Sequence, residues 1–149
     1  MKMLKPKFWS TKNNFASFLL LPFSFLIQIF IFAKRVFTLE TKFKIPLICI
    51  GNIYLGGTGK TPLVILIEKE LIKLQKKPAI IKKYYAEHFD EHNLIKSYSK
   101  NLFLASSRKV AISNAENNNY NVAILDDGFQ DFSIKKNFNI LCFNEKQLV

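Results

Sequence analysis

Residues 51–62 read GNIYLGGTGKTP, directly after the apolar run PLICI (Pro46–Ile50) and directly before a stretch with helical periodicity. Three glycines, Gly56, Gly57 and Gly59, free the backbone to curl round an anion with its amide N–H groups turned inward. The helix that follows adds the positive end of its dipole. Lys60 is placed to reach the β- and γ-phosphates of a nucleoside triphosphate, and the Thr61 hydroxyl to ligate Mg2+. The strict pattern G-x-x-x-x-G-K-[ST] fails at one position, because Tyr54 stands where its first glycine belongs. Leu55 in turn stands where deviant K-G-G-x-G-K-T loops carry their lysine. A glycine turn beside a solvated lysine is the plainer alternative, yet strand, glycine cluster, Lys-Thr and helix all fall in register. Tyr54, Leu55, Gly56, Gly57, Thr58, Gly59, Lys60 and Thr61 are therefore read as the contacts of ATP, with Thr61 also on the metal.

Working outward, the spacing of Leu63, Ile67, Leu71 and Leu74 predicts a helix over Thr61–Lys76, with Pro62 tolerated in its first turn. Short apolar runs at Pro46–Ile50, Pro78–Ile81, Leu102–Ala105, Val122–Leu125 and Asn139–Phe143 read as strands. Asp90–Tyr98 and Arg108–Asn117 read as helices, with a turn at Asn117-Asn118-Asn119. Strands alternating with helices predict an α/β fold, P-loop NTPase-like, with a largely parallel sheet flanked by helices. Such a site also needs an acidic group to hold the metal, and VAILDD (Val122–Asp127) supplies two at a strand end. In open α/β folds ligands bind at that carboxyl edge of the sheet. Asp126 and Asp127 are therefore the expected Mg2+ residues beside Thr61.

The first 39 residues hold Lys2, Lys5, Lys7, Lys12, Lys34 and Arg35 and no acid. Between the basic ends lies FASFLLLPFSFLIQIFIFA (Phe15–Ala33), uncharged and close to the roughly 20 residues that cross a bilayer core. Pro22, Ser24 and Gln28 weaken the spanning reading, and Lys34-Arg35 stands where a cleaved signal peptide needs small residues. A membrane-associated helix, dipping into one leaflet or lying in the interface, fits best, with an amphipathic helix on the domain's own core as the alternative. The division expected is a basic, apolar segment over residues 1–37 and a nucleotide-binding domain over 38–149. The net charge of +11 in 149 residues carries no aromatic-interleaved arginine stripe, so an anionic membrane surface accounts for it better than nucleic acid. With 49% hydrophobic residues and 15 Phe the chain is not disordered. Its two cysteines, Cys49 and Cys142, sit in apolar runs and read as reduced core thiols.

GNIYLGGTGKTP together with LDDGFQ (Leu125–Gln130) resembles the tetraacyldisaccharide 4'-kinase family, the lipid A 4'-kinases of Gram-negative bacteria. Phe8-Trp9 ahead of the apolar segment and Arg35 after it are similar to that family's start, so the likeness runs from about Phe8 to Phe143. The resemblance implies ATP- and Mg2+-dependent phosphorylation of a disaccharide hydroxyl on a lipid A precursor, at the cytoplasmic face of the inner membrane. It carries over Lys60 and Thr61 as phosphate and Mg2+ contacts, Asp126 and Asp127 as the acidic pair, and Gln130 as a neighbour of the site. Asp90 of Phe89-Asp90-Glu91 falls where the family's Gly-Asp-Glu places its base, an assignment that a helix N-cap at Asp90 matches on the residues alone. Lys82-Lys83-Tyr84-Tyr85 replaces the family's Ser-Arg-Gly-Tyr-Gly, and Asp131 stands where a histidine is common. The family continues into a second domain that closes over the nucleotide and supplies a histidine to the base. With the sequence ending at Val149, slow transfer by this chain alone is expected, and His88 and His92 read as surface residues. No obligate protein partner is called for. The competing class, a membrane-anchored P-loop switch ATPase, wants a lysine at Leu55 and lacks the DDGFQ strand end.

Overall fold

The computed structural model describes residues 15–52, 59–85 and 89–143. The chain divides into two compact units, Met1–Leu39 and Glu40–Val149. The first holds α1 (Phe15–Phe37), whose helix runs through Pro22 and ends with Lys34 and Arg35 in its last turn. Its large apolar side chains, among them Phe18, Phe25, Phe30 and Phe32, are exposed. By length and composition Phe18–Phe37 is long and apolar enough to cross a membrane.

The second unit alternates strands and helices: β1 (Leu47–Asn52), α2 (Lys60–Lys73), β2 (Pro78–Lys83), α3 (Phe89–Tyr98), β3 (Leu102–Ala105), α4 (Arg108–Asn117), β4 (Val122–Asp126) and β5 (Phe138–Cys142). All five strands pair in parallel, in the order β3-β2-β4-β1-β5. The α/β expectation is met, and the sheet is parallel throughout. Parallel strands covered on both faces read as continuous apolar runs, which is why ILVC-rich segments rather than alternating ones marked them.

Successive strand residues face opposite sides, so the sheet builds two cores. Ile50, Ile80 and Ile124 meet Val64 of α2 and Ile95 of α3 on one face. Leu47, Cys49, Ala79, Ile81, Ala123 and Leu125 meet Ala111, Ile112 and Ala115 of α4 on the other. The alanines on both sides of that second interface leave room for α4 to lie close to the sheet.

Three strands run further than their apolar runs predict, and always at the carboxyl end. β1 continues through Gly51 and Asn52, which pair with Leu141 and Cys142 of β5. β2 continues through Lys82 and Lys83, paired with Leu104 and Ala105 of β3. β4 takes in Asp126, opposite Ile50. Neighbouring strands supply the backbone hydrogen bonds there, so polar side chains enter the ladder without an apolar run to recruit them. In the other direction α2 stops at Lys73, three residues short of the predicted end. Gln75 takes a left-handed φ of 58°, and the amides of Gln75 and Lys76 return to the carbonyls of Ile72 and Leu71. That closure is normally signalled by glycine, which the sequence lacks here.

Candidate active site

The carboxyl ends of β1, β2 and β4 bring charged groups from four elements together. Lys60 opens α2 behind Gly59, whose φ of 76° is left-handed and whose missing side chain faces open space. The Lys60 Nζ donates to Asn52 Oδ1 at 3.0 Å and stands 3.5 Å from Asp127 Oδ2, with its side chain 22% exposed. It is thus held at the sheet edge rather than solvated. Thr61 follows in the first turn of α2, partly buried. Tyr54, Leu55, Gly56, Gly57 and Thr58 lie outside the described residues.

Asp126 ends β4 at 1% exposure and accepts from Lys82 Nζ at 2.6 Å. Asp127 follows with a φ of 62°, its amide donating to the Ile50 carbonyl at 2.9 Å. Arg108, at the start of α4, donates to the Asp127 carbonyl and pairs with Asp131 at 3.8 Å. A left-handed aspartate costs on the order of 1–2 kcal/mol, and these two backbone contacts are what hold it.

The residues after the acids anchor that turn by shape. A side chain on Gly128 would come 3.3 Å from Cys49 Sγ, and one on Gly51 would come 2.8 Å from the Phe129 ring. Phe129 therefore seats on bare backbone at the end of β1, and within DDGFQ the Gly-Phe pair docks what Asp-Asp presents. Burial pushes the Cys49 thiol up to about 11, so it stays protonated. Desolvation pushes the nearby Lys136 ammonium down. The Lys136 Nζ donates to the carbonyls of Asp131 at 2.6 Å and Phe129 at 3.4 Å, closing the loop from behind.

Lys60 and Asp127 are thus brought together at the sheet edge, Asp126 beside them pairs with Lys82, and Gln130 sits exposed in the adjoining turn. Asp90 lies exposed in the first turn of α3, and among the described residues no hydrogen bond or ion pair joins it to that cluster. One reading is corrected. His92 is 1% exposed and stacks on Tyr84 with ring centroids 5.5 Å apart, because α3 turns it toward the exit of β2. His88 lies outside the described residues. Sequence reasoning passed over Lys82, Asn52 and Arg108. A lysine extending the run PAII was the available signal for the first, since a charge continuing a buried strand requires a counter-charge.

Comparison with known proteins agrees with this fold. The family model for LpxK, tetraacyldisaccharide-1-P 4'-kinase, matches residues 16–100. A tetraacyldisaccharide 4'-kinase of Pelagibacter ubique is 45% identical over 97% of this chain and 46% of its own length. One from Coxiella burnetii is 30% identical over 98% of this chain and 53% of its own. The crystal structure of LpxK from Aquifex aeolicus in complex with ATP superposes with a TM-score of 0.71 at 27% identity, covering 87% of this chain and 49% of that one. The chain spans about half the length of the curated relatives it matches. A glycine loop leading into Lys60, an acidic strand end beside it and a family match across more than half of the chain lead to one conclusion: the chain belongs to the tetraacyldisaccharide 4'-kinase family.

Proposed function

We propose that this chain carries the nucleotide-binding part of an ATP-dependent kinase that phosphorylates the 4'-hydroxyl of a tetraacyldisaccharide 1-phosphate lipid A precursor, at the cytoplasmic face of the bacterial inner membrane. The observation that carries the reading is Lys60, held by Asn52 at 3.0 Å and Asp127 at 3.5 Å at the start of α2. ATP and Mg2+ fit these residues: Gly59 brings no side chain to the entry of α2, and Asp127, the more exposed acid, stands beside the lysine.

In this reading the glycine loop, residues 54–59, and the amino end of α2 bind the phosphates through backbone amides. Lys60 moves its ammonium from Asp127 to the β- and γ-phosphates, exchanging a long, solvent-screened contact for a charge-assisted one. Thr61 and the acidic strand end at Asp126-Asp127 serve the metal, which would supply charge neutralisation of the phosphoryl group in flight. Asp90 accepts the proton of the acceptor hydroxyl, and Gln130 borders the nucleotide. The basic, apolar segment over residues 1–37 holds the domain at the membrane that contains the acceptor.

Titration of a fluorescent ATP analogue tests the binding claim. Lys60→Ala is expected to abolish detectable Mg2+-ATP binding, while Asp90→Asn leaves binding intact and removes transfer of labelled phosphate to the lipid disaccharide. Parent-like ATP affinity in Lys60→Ala would sink the assignment.

A further inference from the structure

Asp126 and Asp127 are neighbours in the chain, yet the structure holds them in opposite ways. Asp126 is inside the β4 ladder, its side chain 1% exposed, with Lys82 Nζ at 2.6 Å and the Lys82 side chain 8% exposed. Asp127 is past the strand, its side chain 58% exposed, and its carboxylate meets Lys60 at 3.5 Å. Lys82 and Asp126 continue the alternation of Ile80 and Ile124, so both point to the face covered by α2 and α3, on which Lys60 opens its helix.

The consequences for a metal differ. The contact between Lys60 and Asp127 is long and half in water, so it is cheaply exchanged when Lys60 turns to a phosphate. Drawing Asp126 away from Lys82 breaks a 2.6 Å contact between two buried charges, which is strongly unfavourable. A divalent cation that keeps several of its waters also prefers the accessible carboxylate. We infer that Lys82 is a positioning residue: it reserves Asp126 as its own counter-ion and leaves the Mg2+ of the nucleotide to Asp127 and Thr61. The ion pair fixes the end of β4, from which the left-handed turn at Asp127 starts. This assignment rests on the nucleotide reading of the site and names which of its two acids takes the metal.

The test is the Mg2+ dependence of mant-ATP binding by the full chain in detergent micelles, with thermal unfolding recorded for every variant. Lys82→Met and Lys82→Gln free a buried carboxylate to join the metal, so the half-saturating Mg2+ is expected to fall about fivefold or more, and Lys82→Arg to restore it. Adding Asp126→Asn to Lys82→Met removes both charges of the pair, so this double variant is expected to keep the parent's Mg2+ dependence within about twofold, whereas Asp127→Asn raises it about tenfold or more. A folded Lys82 variant with unchanged or weakened Mg2+ dependence overturns the assignment. So does a double variant that needs as much extra Mg2+ as Asp127→Asn, and that comparison decides alone if the single Lys82 variants do not fold. If the parent binds no mant-ATP, the nucleotide reading itself falls, and this inference with it.

Discussion

Cys49 shows how far one residue of the core answers to the site above it. It is fully buried in β1, and Gly128 of the acidic turn lies against its sulfur. Burial raises its thiol from the ordinary 9.0 to about 11, a shift that the Lys136 and Arg108 charges offset only in part. A thiol held neutral in the folded state but free to ionise when unfolded favours folding below the unfolded value, and that advantage is lost as pH rises from 9.0 toward about 11. Stability should therefore fall with pH there, by about 1 kcal/mol between pH 8 and 10 from this group alone. Lys136, pushed down by burial, contributes with the opposite sign, so the readout is the difference in slope between the parent and Cys49→Ala in urea unfolding at several pH values. Identical slopes would mean that Cys49 ionises as freely in the fold as outside it. At this scale the placement of Lys60, Asp126 and Asp127 at the sheet edge was legible because each sits at a fixed offset from a motif. Lys82, Arg108 and His92 were not, because each acquires its role from a residue 44, 19 or 8 positions away that only the strand order brings close.

Elements, by contrast, were readable almost throughout, since each strand and helix carries its own period and needs no partner to show it. Their ends were less so: the polar extensions of β1, β2 and β4 are stabilised by neighbouring strands, and the end of α2 by left-handed Gln75, whereas the asparagines after α4 marked its end as observed. The orientation of α2 matters most, because it aims Lys60. Two turns along that helix Glu68 is 2% exposed and accepts from Ser99 Oγ and from Asn101 Nδ2, the latter at 2.8 Å. Asn101 in turn accepts from Tyr120 at 3.1 Å and gives its carbonyl to the Ile80 amide at 2.8 Å. One buried carboxylate thus ties α2 to the start of β3 and, through it, to β2. Glu68→Ala leaves the buried Ser99 hydroxyl and the half-buried Asn101 amide without their acceptor and is expected to cost about 2–4 kcal/mol in chemical denaturation. Glu68→Gln, which keeps one carbonyl acceptor, should recover about half of that loss. Equal stability of Glu68→Ala and parent would show that the helix is oriented by its apolar face alone.

For the whole molecule the question is what each of its two units does without the other. Residues Glu40–Val149 contain both cores, all five strands and every described charge of the site, so removal of Met1–Leu39 should leave a folded domain that still binds Mg2+-ATP. The first unit offers Phe, Leu and Ile side chains around the whole of α1, with Lys34 and Arg35 at its end. Each such side chain gains about 1.5–3 kcal/mol when fully taken out of water, against about 1 kcal/mol for each basic residue at an anionic surface. Only the second contribution is screened by salt, because added ions shorten the reach of charge and leave hydrocarbon burial in place. The expected pattern in membrane fractionation is therefore asymmetric. The intact chain should stay with the membranes through a wash in concentrated salt and through one in alkali, and detergent should extract it. The chain lacking Met1–Leu39 should appear in the soluble fraction with its mant-ATP affinity within about twofold of the parent's. Release of the intact chain by salt would show that charge alone holds it. Loss of nucleotide binding on deletion would show that the two units fold as one.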